Sequence, residues 1–448
     1  MQISKFGLRP QYDRPRPDPG DPLPPPDQGG LSPAAAKIAR IQNLLNGITT
    51  RWDERKILDI LARCGPQELN EVLSGTDLLQ LSNDVDDHWF GPKNKQALYQ
   101  LLTEERLGDL TVETRARLIH GLQAGDTHRS DERAVRNVLL GTRSGDLTAL
   151  KLRIDQSEDH RDLHQLMFHD MDHTDYKQQI LSHIAKEAGP AQEFKLLSDI
   201  DDTFYCNWKD QRFPKGSVYP GVRQYYKEMD AAPSGQPDDL TFVTARPDDR
   251  IGAVKRRTKK SLRQKGLGQM VVLAGSVPSL FSNEALAAKK FERMGQLNQL
   301  YPEFRLVFTG DSGQGDALCG LKLNQANWPV YSATLIHDVV QSSPEERQRY
   351  REQRVYFFDT YVGAALEAQS LGLMSREAAR RVGQAAASDF GHTAFVDEAQ
   401  RSARLAELQA DLDRLNQDWP PDQHVQVGPL APLSSIPMPE VPELPNSG

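Results

Sequence analysis

The apolar positions of the chain change their period near residue 190. Over residues 34–188 they recur at three- and four-residue spacing with few β-branched runs, which predicts helices throughout. In the segment from Asp53, DERKILDILARCGPQEL, residues Ile57, Ile60 and Leu61 share one helical face after an acidic first turn. The segment from Asp131, DERAVRNVLLGTRSGDL, places Val135, Val138 and Leu139 in the same way. KQALYQLL from Lys95 resembles KQQILSHI from Lys177. The first pair is offset by 78 residues and the second by 82, so a small insertion separates the copies. Two all-helical modules of roughly 75–80 residues are the simplest reading.

Beyond residue 190, short apolar runs alternate with amphipathic stretches. The runs are KLLS (195–198), LTFVT (240–244), MVVLAG (270–275), RLVFTG (305–310) and YSATLIHDV (331–339). Between them lie helical patterns at 221–230, 248–266 and 284–300. This alternation predicts an α/β unit over 189–345, with a Rossmann-like parallel sheet covered on both faces. Residues 346–418, rich in Ala, Glu, Arg and Gln, return to a helical pattern as a C-terminal extension. The ends, 1–33 and 419–448, are rich in Pro and Gly. They are expected to be disordered, because they bury too little apolar surface to offset the entropy of ordering.

Composition narrows the class. The 448 residues carry a formal charge of −8 and are 38% hydrophobic, enough for a substantial core and against a dedicated nucleic-acid binder. No run approaches the ~20 apolar residues that span a bilayer. The opening MQISKFGLRPQYDRPRP lacks the apolar region of a Sec signal peptide. A cytoplasmic protein, with peripheral membrane association as an option, is the expectation. Cys64, Cys206 and Cys319 stand far apart, without metal-type spacing, and read as reduced thiols.

Four signals carry chemistry. Ser198-Asp199-Ile200-Asp201-Asp202-Thr203 follows the strand KLL, so Asp199 and Asp201 project into the crevice where α/β sheets bind ligands. One carboxylate can act as nucleophile while the other handles protons, and the pair can share a cation. Thr244 ends the strand LTFVT, where a hydroxyl can donate to a phosphate oxygen. Lys290 shares a helical face with Leu286, Met294 and Leu297, and an inward lysine calls for an anion. In Gly310-Asp311-Ser312-Gly313-Gln314-Gly315-Asp316 the glycines permit a tight loop, and Asp311 and Asp316 can serve a metal's inner and outer shells. Each alone has an ordinary structural explanation as turn, cap, strand residue or snorkelling side chain. The four in this order point to one site.

The set resembles the haloacid dehalogenase superfamily of phosphotransferases. More narrowly, SDIDDT, YPGVRQYYKEM (219–229), the lysine helix and YPEFRLVFTGDSGQGD (301–316) resemble the catalytic domain of the actin-patch-associated phosphatidate phosphatases of fungi and its bacterial relatives. The resemblance covers about residues 190–345. It implies a Mg²⁺-dependent phosphomonoesterase, most simply one converting phosphatidate to diacylglycerol and phosphate. Asp199 would be the nucleophile, Asp201 the acid and base, and Thr244 and Lys290 would hold the phosphoryl group. Asp199, Asp311 and the carbonyl of Asp201 would hold Mg²⁺, with Asp316 behind them. Thr203, Arg246 and Ser312 become candidate substrate contacts. The chain departs from the pattern in Thr244-Ala245-Arg246-Pro247, where a Ser-Asn type sequence is common, and in His337, where Arg is common. The intervals from Asp199 to Thr244 and from Thr244 to Lys290, 45 and 46 residues, leave no room for a large cap, so an open site is expected.

Competing readings explain less. GDSG resembles a protease nucleophile loop, but no matching histidine segment precedes it and the setting is not a β-barrel. The spacing of Asp199, Asp201, Thr203 and Asp210 resembles a calcium loop, but Phe204 stands where that loop needs glycine. His169 and His173, at i and i+4, could hold a metal, but the matching segment of the first repeat, Asp84–His88, lacks the first histidine, so an ordinary polar inter-helix loop is the expectation. The helical modules are faintly similar to annexin repeats, without clear glycine-rich calcium loops. The run KRRTKKSLRQK (255–265) reads as a solvated helix face or a dock for anionic lipid. A protein or nucleic-acid phosphatase of the same mechanism remains an alternative. So does a non-catalytic protein that binds a protein partner through its repeats.

Overall fold

The computed structural model describes residues 32–87, 93–123, 128–156, 161–191, 193–231, 240–244, 252–275, 282–326, 328 and 330–439. Its first part is two matching sets of five helices. The first set is α1 (Pro33–Leu45), α2 (Arg51–Ala62), α3 (Pro66–Gly75), α4 (Leu78–Asp84) and α5 (Asn94–Gln100). The second is α6 (Val112–Gln123), α7 (Arg129–Leu140), α8 (Ser144–Asp155), α9 (Leu163–Gln165) and α10 (Thr174–Glu187). The Asp-Glu pair that opens each copy has two separate jobs. Asp53 accepts the N–H of Thr50 and Asp131 that of His128, closing the first turns of α2 and α7. Glu54 and Glu132 are buried instead. Glu54 accepts from the Asp86 N–H and Asn94 Nδ2, and Glu132 from the N–H groups of Asp172 and His173. Each glutamate thus pins the loop before the fifth helix of its own repeat.

The α/β unit alternates strand and helix: β1 (Glu193–Ser198), α11 (Val222–Ala231), β2 (Thr241–Val243), α12 (Ala253–Gln264), β3 (Val271–Leu273), α13 (Asn283–Leu300), β4 (Phe304–Asp311), α14 (Asp316–Gln325), β5 (Tyr331–His337), α15 (Pro344–Arg351) and β6 (Val355–Phe358). Three further helices, α16 (Tyr361–Ser370), α17 (Arg376–Gly391) and α18 (Glu398–Asn416), follow. The six strands form one sheet in the order β3-β2-β1-β4-β5-β6, and every neighbouring pair is parallel. This is the Rossmann-like sheet that the strand–helix alternation predicts. Strand β6 lies in a stretch expected to be helical. Val-Tyr-Phe-Phe is too short to show a period, and its pairing with Thr334–His337 decides the conformation.

The two faces of the sheet lie in different cores. Leu197, Val243, Leu273, Leu306 and Phe308 share a core with Ile57, Ile119, Val138, Leu150 and Ile180 of the helical repeats. Leu196, Phe242, Val272, Val307 and Leu335 pack with Tyr225, Val382, Leu408 and Leu412 on the other side. The repeats are therefore one layer of the same body. Polar ties cross the junction: Lys151 Nζ lies 2.6 Å from Glu303 and donates to the Leu300 carbonyl at 2.7 Å, and Tyr301 Oη donates to Asp155 at 2.6 Å.

The C-terminal segment departs from expectation. Residues 419–439 do not form a free tail but run along α17 and α18. Val425 is buried and exchanges two hydrogen bonds with the Asn416 side chain, while Arg380 and Arg401 donate to the carbonyls of Gln423 and Ala431. A proline-rich stretch has few N–H donors, so its carbonyls are what neighbouring helices bind. The three cysteines are free and buried. Among the described residues, no helix is long and apolar enough to cross a membrane.

Candidate active site

All six strands end at one edge. The order of the sheet reverses beside β1, so the crevice between the ends of β1 and β4 is the topological switch point of the fold. Asp199 follows β1 and Asp311 ends β4, and the Asp199 N–H donates to the Thr309 carbonyl at 2.9 Å. Asp199, Asp311 and Asp316 are buried, and each offers a carboxylate oxygen within 4.8 Å of the others. Lys290, on the inward face of α13, reaches this group. Its Nζ lies 3.1 Å from Asp199 Oδ1 and 2.5 Å from Asp316 Oδ1. Its neighbour Lys289 points outward to Glu292.

Charge governs the group. Burial, with the repulsion of Asp316 and Asp201 and against the pull of Lys290, pushes Asp199 up to about 7. Burial and the neighbouring Asp316 and Asp199 hold Asp311 well above the usual carboxylate range. Burial works against the Lys290 ammonium, but Asp199, Asp316 and Asp311 outweigh it and raise its pKa. Three carboxylates against one ammonium leave the centre short of positive charge, and an all-oxygen donor set suits a hard cation such as Mg²⁺.

The loop after β4 fixes both of its carboxylates. Asp311 Oδ1 accepts the Gly313 N–H at 2.7 Å, and Asp316 Oδ2 accepts the Asp311 N–H at 3.2 Å. A side chain at Gly310 would strike the Asp316 carboxylate. Gly315 has φ +98° and lies against the Asn283 backbone, so neither position admits another residue without a shift.

The other residues singled out in the sequence fall as follows. Asp201, half-buried, accepts from Asn207 Nδ2 at 2.7 Å. Thr244 is buried at the end of β2, beside β1, and its N–H donates to the Leu273 carbonyl. Thr203 is buried, its carbonyl accepts from Tyr361 Oη, and its hydroxyl has no partner among the described residues. Ser312 does not turn to the crevice. Its hydroxyl donates to Asp338 and accepts the N–H groups of Val339 and Val340, so it ties the loop after β4 to the loop after β5. Arg246 lies outside the described residues.

The cationic run corrects an expectation, whereas the histidine pair fits the polar-loop reading. Lys255 and Lys259 are buried, and Lys255 meets Asp162 at 3.4 Å and Gln165 at 3.3 Å. The cationic run is therefore split between a buried face that holds the helical repeats and an exposed face with Arg256, Arg257 and Lys260. His169 and His173 do not converge. His173 pairs with Glu132, and His169 Nε2 accepts from Arg293 at 3.1 Å.

Sequence reasoning missed the support of the first loop. Asp202 has φ +58°, a left-handed backbone uncommon outside glycine, and its carboxylate accepts the N–H groups of Asn207, Trp208 and Lys209. The Asp-Asp doublet was the available signal. Its carbonyl accepts from His337 Nδ1 at 3.0 Å, and His337 Nε2 accepts from Arg212, which in turn chelates Asp210. Burial and the Arg212 charge lower His337 to about 4, so it stands neutral behind the site.

No family model, curated protein or solved structure matches the chain.

Proposed function

We propose that this chain is a Mg²⁺-dependent phosphomonoesterase acting through an aspartyl-phosphate, with phosphatidate as its substrate. The observation that carries the proposal is the buried group of Asp199, Asp311 and Asp316 around the Lys290 ammonium at the switch point of the sheet. A net-negative cluster with one fixed cation is suited to a divalent ion and a phosphoryl group together.

In this reading Asp199, Asp311 and the Asp201 carbonyl hold Mg²⁺, and Asp316, fixed by Lys290 and the Asp311 N–H, keeps the set aligned. When bound, Mg²⁺ supplies positive charge against the phosphoryl oxygens. An Asp199 oxygen attacks phosphorus in line and the bond to the leaving alcohol breaks. Protonated Asp201 gives that alkoxide its proton. Asp201, now ionised, takes a proton from water, whose oxygen attacks phosphorus and breaks the bond to Asp199. Inorganic phosphate leaves, and both carboxyl groups return to their starting state. Asn207, donating to Asp201, fixes the direction in which that carboxyl faces. Lys290 and the Thr244 hydroxyl offset charge on the transferring group.

The substrate class rests on the expectation of an uncapped site, since the intervals of 45 and 46 residues from Asp199 to Thr244 and from Thr244 to Lys290 leave no room for a large cap. Between β1 and α11 the chain forms one loop, residues 199–221, tied by the bridges of Tyr205 to Asp201 and to Val218. A site without a large cap suits a head group presented at a surface.

The test is phosphate release from phosphatidate in mixed micelles beside a soluble aryl phosphate, with and without Mg²⁺. Mg²⁺-dependent release favouring phosphatidate is expected. Release from the soluble ester alone would keep the mechanism and discard the lipid. Absence of Mg²⁺-dependent release from lipid, aryl, peptide and oligonucleotide phosphates would overturn the enzyme reading in favour of an interaction protein.

A further inference from the structure

The loops after β1 and β5, the strands on either side of β4 in the sheet, carry large apolar side chains that face solvent. Trp208 is 65% exposed and Val340 is 53% exposed, although the core is otherwise well supplied with apolar residues. Both are held to the site by backbone bonds. The Trp208 N–H donates to the Asp202 carboxylate, next to Asp201, and the Val340 N–H donates to the hydroxyl of Ser312, next to Asp311. The loop after β4 lies between them and meets the loop after β1. Lys209, following Trp208, packs over Gly313, where an added side chain would strike its Cβ at 2.9 Å. Trp208, Lys209, Gly313, Ser312 and Val340 therefore form one continuous rim beside the crevice. Exposed Lys209 and Lys215 make the loop after β1 cationic where it faces water.

We propose that this rim is a docking surface for a phospholipid bilayer, with Trp208 and Val340 entering the interfacial region and Lys209 and Lys215 meeting lipid phosphates. The inference rests on the phosphomonoesterase reading for its purpose, but not for its test. A soluble phosphoester has no use for an exposed indole at the mouth of the site. A bilayer interface does, because an indole is favoured where an apolar ring meets polar head groups. Cations beside it are favoured by anionic lipid. The rim is also pre-organised. Three N–H groups fix the Asn207–Lys209 loop on Asp202, and Ser312 fixes Val339 and Val340, so ordering on contact costs little. The carboxylates and the rim share these anchors, which would bring a head group held at the interface to Asp199.

The experiment compares the full chain with the Trp208→Ala/Val340→Ser variant in two assays. One is co-sedimentation with phosphatidylcholine vesicles, with and without phosphatidate. The other is Mg²⁺-dependent hydrolysis of a soluble aryl phosphate. The variant should lose roughly tenfold or more in vesicle binding, as expected for withdrawing two apolar side chains from the interface, with aryl phosphate hydrolysis within about twofold of the parent. Vesicle binding equal in parent and variant, or absent in the parent, overturns the docking surface even if hydrolysis proceeds. Vesicle binding that depends on Trp208 and Val340 without hydrolysis of any ester sustains the surface and removes the phosphatase.

Discussion

The Lys290 ammonium stands between two buried carboxylates, 2.5 Å from Asp316 and 3.1 Å from Asp199, and is the one lysine of α13 turned into the crevice. It neutralises part of a charge cluster that the fold would otherwise carry unpaired. Lys290→Met should therefore cost about 3–5 kcal/mol in chemical denaturation, the range for breaking a buried ion pair from one side. Added Mg²⁺ should restore more stability to the variant than to the parent, and phosphatase activity should fall by roughly 10²–10³. A variant as stable as the parent without Mg²⁺ would mean that the cluster is not held charged.

Asp311→Asn tests the opposite side of the same balance. The amide oxygen that this substitution introduces can still accept the Gly313 N–H, while one like charge leaves the cluster. Thermal unfolding in chelator should move upward, and the stabilisation by Mg²⁺ should shrink or vanish. An unchanged response to Mg²⁺ would remove Asp311 from the ion's ligands.

The core shared by the helical repeats and the sheet predicts one cooperative unfolding transition. Lys151→Ala, which takes the ammonium from the Leu300 carbonyl and from Glu303 and leaves Glu303 with the Thr148 hydroxyl but no counter-charge from this lysine, should lower the midpoint of that single transition, by an amount on the order of 3 kcal/mol. Two separable transitions, with only one displaced, would show the repeats to be an independent domain.

Acid should destabilise the same junction. His164 is buried against Gln296, and burial, outweighing Asp162, lowers it to about 3. The folded state keeps it neutral while the unfolded chain takes up a proton below about pH 6.5. Its contribution is thus fully present above that pH and is lost as pH falls toward 3, by up to about 1.4 kcal/mol per pH unit. Asp155, pushed up to about 6 mainly by burial, works the other way over part of the range. The difference between parent and His164→Gln isolates the histidine. Parallel stability curves between pH 7 and pH 4 would refute its role.

Much of the site was legible because its residues sit at strand ends. Asp199 and Asp311 each follow an apolar run, and Lys290 shares its face with Met294 and Leu297, so local pattern alone brought them forward. What stayed hidden depends on partners distant in sequence. Lys255 reads as a surface cation until Asp162, 93 residues earlier, closes over it. Ser312 reads as a substrate contact until Val339 and Val340 occupy its hydroxyl. Asp202 reads as a spare acid, because the left-handed turn that lets it cap residues 207–209 leaves no mark on periodicity. Strand β6 was hidden for the same reason, since only its pairing with β5 distinguishes it from the helices around it.

The central claim is that Asp199 becomes covalently phosphorylated. The direct measurement is acid quenching of the enzyme during turnover of a ³²P-labelled substrate, followed by peptide mapping of the label. An acid-stable, hydroxylamine-labile phosphate is expected on the peptide that contains Asp199 and should be absent from Asp199→Asn. Label that persists in Asp199→Asn, or turnover without label in the parent, would contradict it.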